Sequence, residues 1–227
     1  NSGANINEKS LQEGMTPLHV AFCADRPEMA TLLIAKGANL RIRDSEGATP
    51  LHTGAANDSL TQEIINALPD KELHNRDEDG RTLLHIAAEG SGSRVVAYLC
   101  EDPRVDINAK DDELETALHC ATKIGNLSAM KILIDHGIFI NEIDAKKKSA
   151  LHWACASGNL SAAKILINAG ADLEATNAQG IKPLDYESAQ EIRQWLQSSI
   201  VQADILNSFG QDPVQPSQAP RKRGFSI

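Results

Sequence analysis

Thr16-Pro17-Leu18-His19, Thr49-Pro50-Leu51-His52, Thr82-Leu83-Leu84-His85, Thr116-Ala117-Leu118-His119 and Ser149-Ala150-Leu151-His152 are variants of one phrase. Their histidines stand 33, 33, 34 and 33 residues apart, and a worn version, Lys182-Pro183-Leu184-Asp185, closes the series. A domain built on a single core has no physical reason to repeat itself at a constant interval. A stack of small units does, because each must offer the next the same apolar face. The period therefore predicts an all-α solenoid of stacked helix pairs joined by hairpin loops.

Within each phrase the hydroxyl residue suits an N-cap, because its oxygen takes one of the N–H groups that a first helical turn leaves unbonded. Pro17 and Pro50 follow at the first helical position, where a fixed φ is already correct. Thirteen and fourteen residues past the histidine comes the apolar pair of a second helix, Leu32 with Leu33, Tyr98 with Leu99, Ile132 with Leu133 and Ile165 with Leu166. Ile65 with Asn66 breaks the pair. Gly37, Gly137 and Gly170 stand where that helix must end on a left-handed residue, whereas Asp70 and Pro103 fill the matching places and predict unusual helix ends.

Motif and period together resemble the ankyrin repeat, over residues 1 to about 198. The resemblance implies about five full units in an array spanning 10–198, with residues 1–9 as the end of a truncated repeat and a capping unit at the C-terminal side. Gly3-Ala4-Asn5-Ile6-Asn7 matches Gly37-Ala38-Asn39-Leu40, so the chain is expected to start inside a repeat of a longer protein. Six residues past the histidine the family places glycine, as at Gly125 and Gly158; Asp25, Asp58 and Ser91 depart from it. Leu184 to Leu196 is short and carries Glu187, Glu191, Arg193 and Gln194, the polarity of a cap. Residues 199–209 are expected to prolong the last helix, and 210–227, a Pro/Gln-rich stretch with a basic end, to be disordered.

Composition narrows the function classes. Aromatic residues make up only 4% of the 227, leaving few rings to stack on bases, and a net charge of −9 repels a phosphate backbone. No nucleic acid is expected as a partner. No stretch approaches the length of a membrane span, and no signal peptide is visible. Cys23, Cys100, Cys120 and Cys155 lie at four different offsets from the histidines without a C-x-x-C pair, so neither a zinc site nor a disulfide framework is indicated. Unpaired thiols fit a reducing compartment, cytoplasm or nucleus, or a host cytoplasm for a secreted effector. No metal, cofactor or catalytic residue is expected: one imidazole offset repeated five times is a structural device, which the resemblance places near the turn. Cys120 beside His119 points about 100° away on a helix, poor geometry for a nucleophile and its base. Trp153 is expected to fill core.

Function must then reside in positions that vary between units. The resemblance implies that hairpin tips and outward residues late in each first helix line a groove, which carries partner binding to Glu46, Asn57, Glu78, Asp79, Arg81, Glu89, Asp112, Glu113, Glu115, Lys123, Ile124, Lys146 and Lys148. Acid gathers in mid-array beside a basic edge at Lys146-Lys147-Lys148. Such a stripe would steer a basic protein segment into place. A non-enzymatic, monomeric scaffold or adaptor is the expected function. The alternative is a targeting or regulatory part of a larger protein, such as a bacterial effector, an enzyme or a channel.

Three local departures complete the reading. Leu114 and Lys147 replace the hairpin glycine of Gly47, Gly80 and Gly180, which predicts bent or shifted hairpins. The extra residue between His85 and His119 falls near Asp102-Pro103-Arg104, and the divergent stretch around Asn66 and Asp70 is the expected weak link. In the tail, Arg221-x-Arg223-x-x-Ser226 has the spacing of a site for a basic-directed kinase, making Ser226 a candidate phosphosite.

Overall fold

The computed structural model describes residues 5–90 and 92–209, so Ser91, the tail beyond Phe209 and Ser226 lie outside the described residues. The chain divides into two units, 1–192 and 193–227. Among the described residues it is helical throughout, with one isolated antiparallel bridge between Ile143 and Ser149.

Helix pairs follow one another in register with the repeated phrase: α1 (Pro17–Cys23) with α2 (Pro27–Ala35), α3 (Pro50–Ala56) with α4 (Gln62–Ala67), and α6 (Leu83–Glu89) with α7 (Arg94–Glu101). Then come α8 (Ala117–Ile124) with α9 (Leu127–Asp135) and α10 (Ala150–Ala156) with α11 (Leu160–Asn168). A one-turn helix, α5 (Asp70–Leu73), follows α4. Two 3-10 turns, Pro183–Asp185 and Glu187–Ala189, replace the first helix of the final unit before α12 (Gln190–Phe209).

Each first helix starts through a reciprocal cap. In the α1 unit the Thr16 Oγ1 lies 2.8 Å from Nδ1 of His19, while the Thr16 backbone N–H donates to that nitrogen at 3.0 Å. Because Nδ1 accepts, the proton sits on Nε2, which donates to the carbonyl of Ala48 in the next hairpin at 3.1 Å. Thus one side chain closes its own helix and ties it to the following unit. His85, His119 and His152 repeat the tie, to the carbonyls of Glu115, Lys148 and Ile181. At His52 the corresponding carbonyl, of Arg81, stands outside hydrogen-bonding geometry and Nε2 is left without a partner among the described residues; burial lowers the imidazole pKa.

Leucine precedes every one of these histidines, and Leu18, Leu51, Leu84, Leu118 and Leu151 are all buried. Complete burial of such a side chain stabilises by about 2 kcal/mol, an upper figure because the unfolded chain already hides some surface. Small residues two places past the histidine, Ala21, Gly54, Ala87, Ala121 and Ala154, let paired helices approach closely; a Cβ on Gly54 would meet Leu60 at 2.9 Å. On the face of α1 and α2 that no described helix covers, Pro17, Val20 and Met29 line an open groove of about 760 Å³.

Hairpins stack through backbone bonds: Ser45 N–H to the Glu13 carbonyl, Asp112 to Asp79, Ala145 to Glu113 and Ala178 to Lys146. The equivalent bond from Glu78 to Glu46 is missing among the described residues. Arg43 spans that junction instead, donating to the carbonyls of Gly47 and Arg76.

The substituted glycines do not shift their hairpins. Leu114 (φ 60°) and Lys147 (φ 57°) adopt the left-handed backbone that Gly47 (φ 78°) and Gly80 (φ 73°) adopt, because the stacked neighbours fix the turn whatever residue occupies it. Asp25 and Asp58 do the same in place of the post-helix glycine. The expected odd helix ends are present: α4 and α7 finish on extended residues, Leu68 and Asp102.

Candidate protein-binding groove

After a first hairpin closed by the Ser10 hydroxyl, the later hairpins each turn on an acidic or amide side chain that accepts two backbone N–H groups. Asp44, Asp77, Asp111, Asp144 and Asn177 do this in successive units. Such a turn aims the next two side chains outward and the fourth one inward. Consequently Glu46, Glu78, Asp112 and Glu113 are exposed at the tips and carry no ion pair among the described residues. Asp79, also exposed, leans on Arg81 at 3.3 Å.

Arg81, Glu115 and Lys148 hold the inward position, so they form the groove wall rather than its rim. Eight residues on, late in the first helix, stand their opposite numbers. Arg81 pairs with Glu89 at 3.1 Å, and Glu115 with Lys123 at 2.9 Å, the same cross-groove pairing with its polarity reversed. In the next unit Ala156 occupies that place, and Lys148 has no carboxylate. Glu115 is therefore corrected from a free acidic tip to a buried partner, 7% exposed. Burial works against the Lys123 ammonium, but Glu115 outweighs it and raises the Lys123 pKa. At Asp77 burial likewise opposes ionisation, and bonds from Arg81 prevail to hold the carboxyl below its usual range.

An open groove of about 470 Å³ brings together Asp44, Glu46, Thr53, Ala56, Asp77, Arg81, Ile86 and Glu89, so three of the sequence-predicted residues share it. Asn57 is exposed beside it, its Nδ2 3.9 Å from the Cys23 Sγ. Ile124 lies farther along, 64% exposed.

Trp153 is not core. The position after the histidine faces the groove, as Thr53 and Ile86 show by lining it, and the indole lies half-buried on this wall. Its Nε1 donates to Asp144 at 3.1 Å, while the ammonium groups of Lys148 and Lys123 stand 4.2 and 5.0 Å from the ring centroid. The signal available in the sequence was the polar Thr53 at the offset shared by Val20, Ile86, Cys120 and Trp153, although Cys120 is itself buried there.

Asp111, Glu115 and Cys120 offer ligand atoms within 4.8 Å of one another. The Lys123 ammonium fills the place of a cation there, and Asp111 is spent on the turn. Burial pushes the Cys120 thiol far above its ordinary value, removing the thiolate that metal binding or nucleophilic attack would use.

A stack of capped helix pairs with a hairpin-lined groove is a repeat array of the protein-binding class. Family models described as ankyrin repeats match residues 1–74 and 103–177, and a second ankyrin model matches 64–121; the chain belongs to the ankyrin repeat family. A comparison with curated proteins returned no match. Among solved structures the chain is similar to the ankyrin repeat domain of Bcl-3, described as a unique member of the IkappaB protein family, at 28% identity and a TM-score of 0.68. That likeness covers 80% of this chain and 81% of the other. Ankyrin repeats are protein-interaction modules, typically non-enzymatic. No described helix is long and apolar enough to cross a membrane.

Proposed function

We propose that the array is a scaffold or adaptor whose groove holds a basic segment of a protein partner along its first half. One observation carries the reading: Glu46, Glu78, Asp112 and Glu113 form a row of unpaired carboxylates on successive hairpin tips, above a groove whose wall is already internally neutralised. Exposed charge of one sign accelerates encounter and selects partners of the other. Four cysteines that form no disulfide among the described residues suit a cytoplasmic or nuclear setting.

Titration with a lysine-rich peptide at low ionic strength tests this. Replacing Glu46, Glu78, Asp112 and Glu113 together by alanine is expected to weaken binding about tenfold and to flatten its salt dependence. Glu115→Gln combined with Lys123→Gln serves as the contrast: it removes the wall pair without changing the charge of the groove and is expected to leave the salt dependence alone. Equal affinity for the quadruple variant and the parent would remove the row from the mechanism.

A further inference from the structure

The second half of the groove has the opposite chemistry. Asp144 is buried and fixed by N–H bonds from Lys146 and Lys148, each 2.8 Å, and its other oxygen holds the Trp153 indole. The ring is thus set in place by the turn rather than by a core. Lys148 rests over it at 4.2 Å and lies 5.9 Å from the Tyr186 ring, yet it lacks the cross-groove carboxylate that Arg81 and Lys123 possess. A cation held by aromatic faces keeps its outward N–H donors free. Lys146 and Lys147 stand exposed on the same hairpin without an ion pair among the described residues, and Ile124, which follows Lys123 in the chain, is an exposed apolar side chain.

We propose that this wall is a separate recognition site for an acidic segment of a protein partner, carboxylates meeting Lys146, Lys147 and Lys148 while one bulky apolar side chain covers Trp153. The inference rests on the array being a protein-binding groove, and it gives that groove two charge-opposed halves. A nucleic acid would offer phosphates to the same lysines. However, its extended backbone would run onto the acidic tips at Asp112 and Glu113, and the chain as a whole carries a net charge of −9.

The indole N–H resonance of Trp153 reports on the site, and Trp153→Phe distinguishes it from Trp195, the other tryptophan. Three probes are titrated at low salt: a short peptide of glutamates around one leucine, the same peptide with lysines for glutamates, and a single-stranded oligonucleotide of matching charge. The glutamate peptide is expected to move the Trp153 resonance saturably, and Lys148→Gln to weaken it about tenfold. That variant keeps the fold, because the structural bond at this position is made by the Lys148 carbonyl to His119; an unchanged melting curve checks it. The proposal is overturned if the glutamate peptide leaves the resonance unmoved, if the lysine peptide moves it equally, or if the oligonucleotide binds more tightly. Binding of the lysine peptide alone, at the acidic tips, would sink this site and spare the groove reading; binding of neither peptide would sink both.

Discussion

Arg104 holds Asp102 at 2.6 Å across a single turn of chain, and the rest of its guanidinium reaches the carbonyls of Ile65 and Leu68 and the carboxylate of Asp70 in the preceding unit. The Ile65 carbonyl also accepts the Leu68 N–H, so Arg104 adds a second donor at the end of α4. Glu72 is tied in the same region by Arg41 at 3.0 Å. The stretch around Asn66 and Asp70 is therefore stapled from both neighbouring units, and the thinner junction is the hairpin contact between the His52 and His85 units, where both the imidazole tie and the backbone bond are absent.

Hydrogen exchange resolves the two regions. In the native protein the Glu78 amide is expected to exchange sooner than those of Asp112 and Ala145, which donate across their junctions. Arg104→Ala should then raise exchange through Gln62–Leu73 while leaving α9 unchanged. Slow exchange at Glu78, or indifference of Gln62–Leu73 to the substitution, would return the weak point to its sequence-based location.

The framework was legible because it is written in local chemistry: N-cap hydroxyls, Pro17 and Pro50, and leucines at a fixed offset all act within one turn of chain. Groove residues were legible as positions but not as charges. Glu115 and Asp112 look alike in the sequence, and only the turn closed by Asp111 separates them, sending one to the rim and the other to a lysine eight residues on. The reversed pair, Arg81 with Glu89 and Glu115 with Lys123, was a readable signal in hindsight. Trp153 was misplaced because apolar bulk suits core and wall equally, and side-chain direction is set by the stacked hairpin.

The imidazoles make a pH prediction. Burial is the leading cause that lowers the pKa of His19, His52, His85, His119 and His152 below 6.5, and an Nδ1 that accepts a backbone N–H disfavours a proton there as well. Folded and unfolded chains are both neutral at these sites well above pH 6.5, so stability there is at its full value. As pH falls below 6.5 the unfolded chain takes up protons first, and each histidine withdraws up to about 1.4 kcal/mol per pH unit until its folded form titrates. The urea midpoint should hold above neutrality and drop steeply from pH 6.5 downward. A midpoint indifferent to pH in that window would mean the imidazoles are charged in the fold, which the Nδ1 geometry forbids.

Leu114 and Lys147 test whether the hairpins tolerate strain or use it. A non-glycine residue in the left-handed region costs about 1 to 2 kcal/mol, and glycine returns part of that through its freer unfolded chain. Leu114→Gly and Lys147→Gly are therefore each expected to stabilise the array by about 0.5 to 1 kcal/mol, read as a higher urea midpoint with unchanged slope. Leu114 is 47% exposed, so little packing is lost with its side chain. Asp25 and Asp58 should gain less, because a short polar side chain already tolerates this backbone and Asp58 also bonds the Val95 N–H at 2.8 Å. If Leu114→Gly lowers the midpoint instead, the leucine is packing against the stack more than its exposure allows. If it raises the midpoint but weakens partner binding, the strained turn exists to present that side chain.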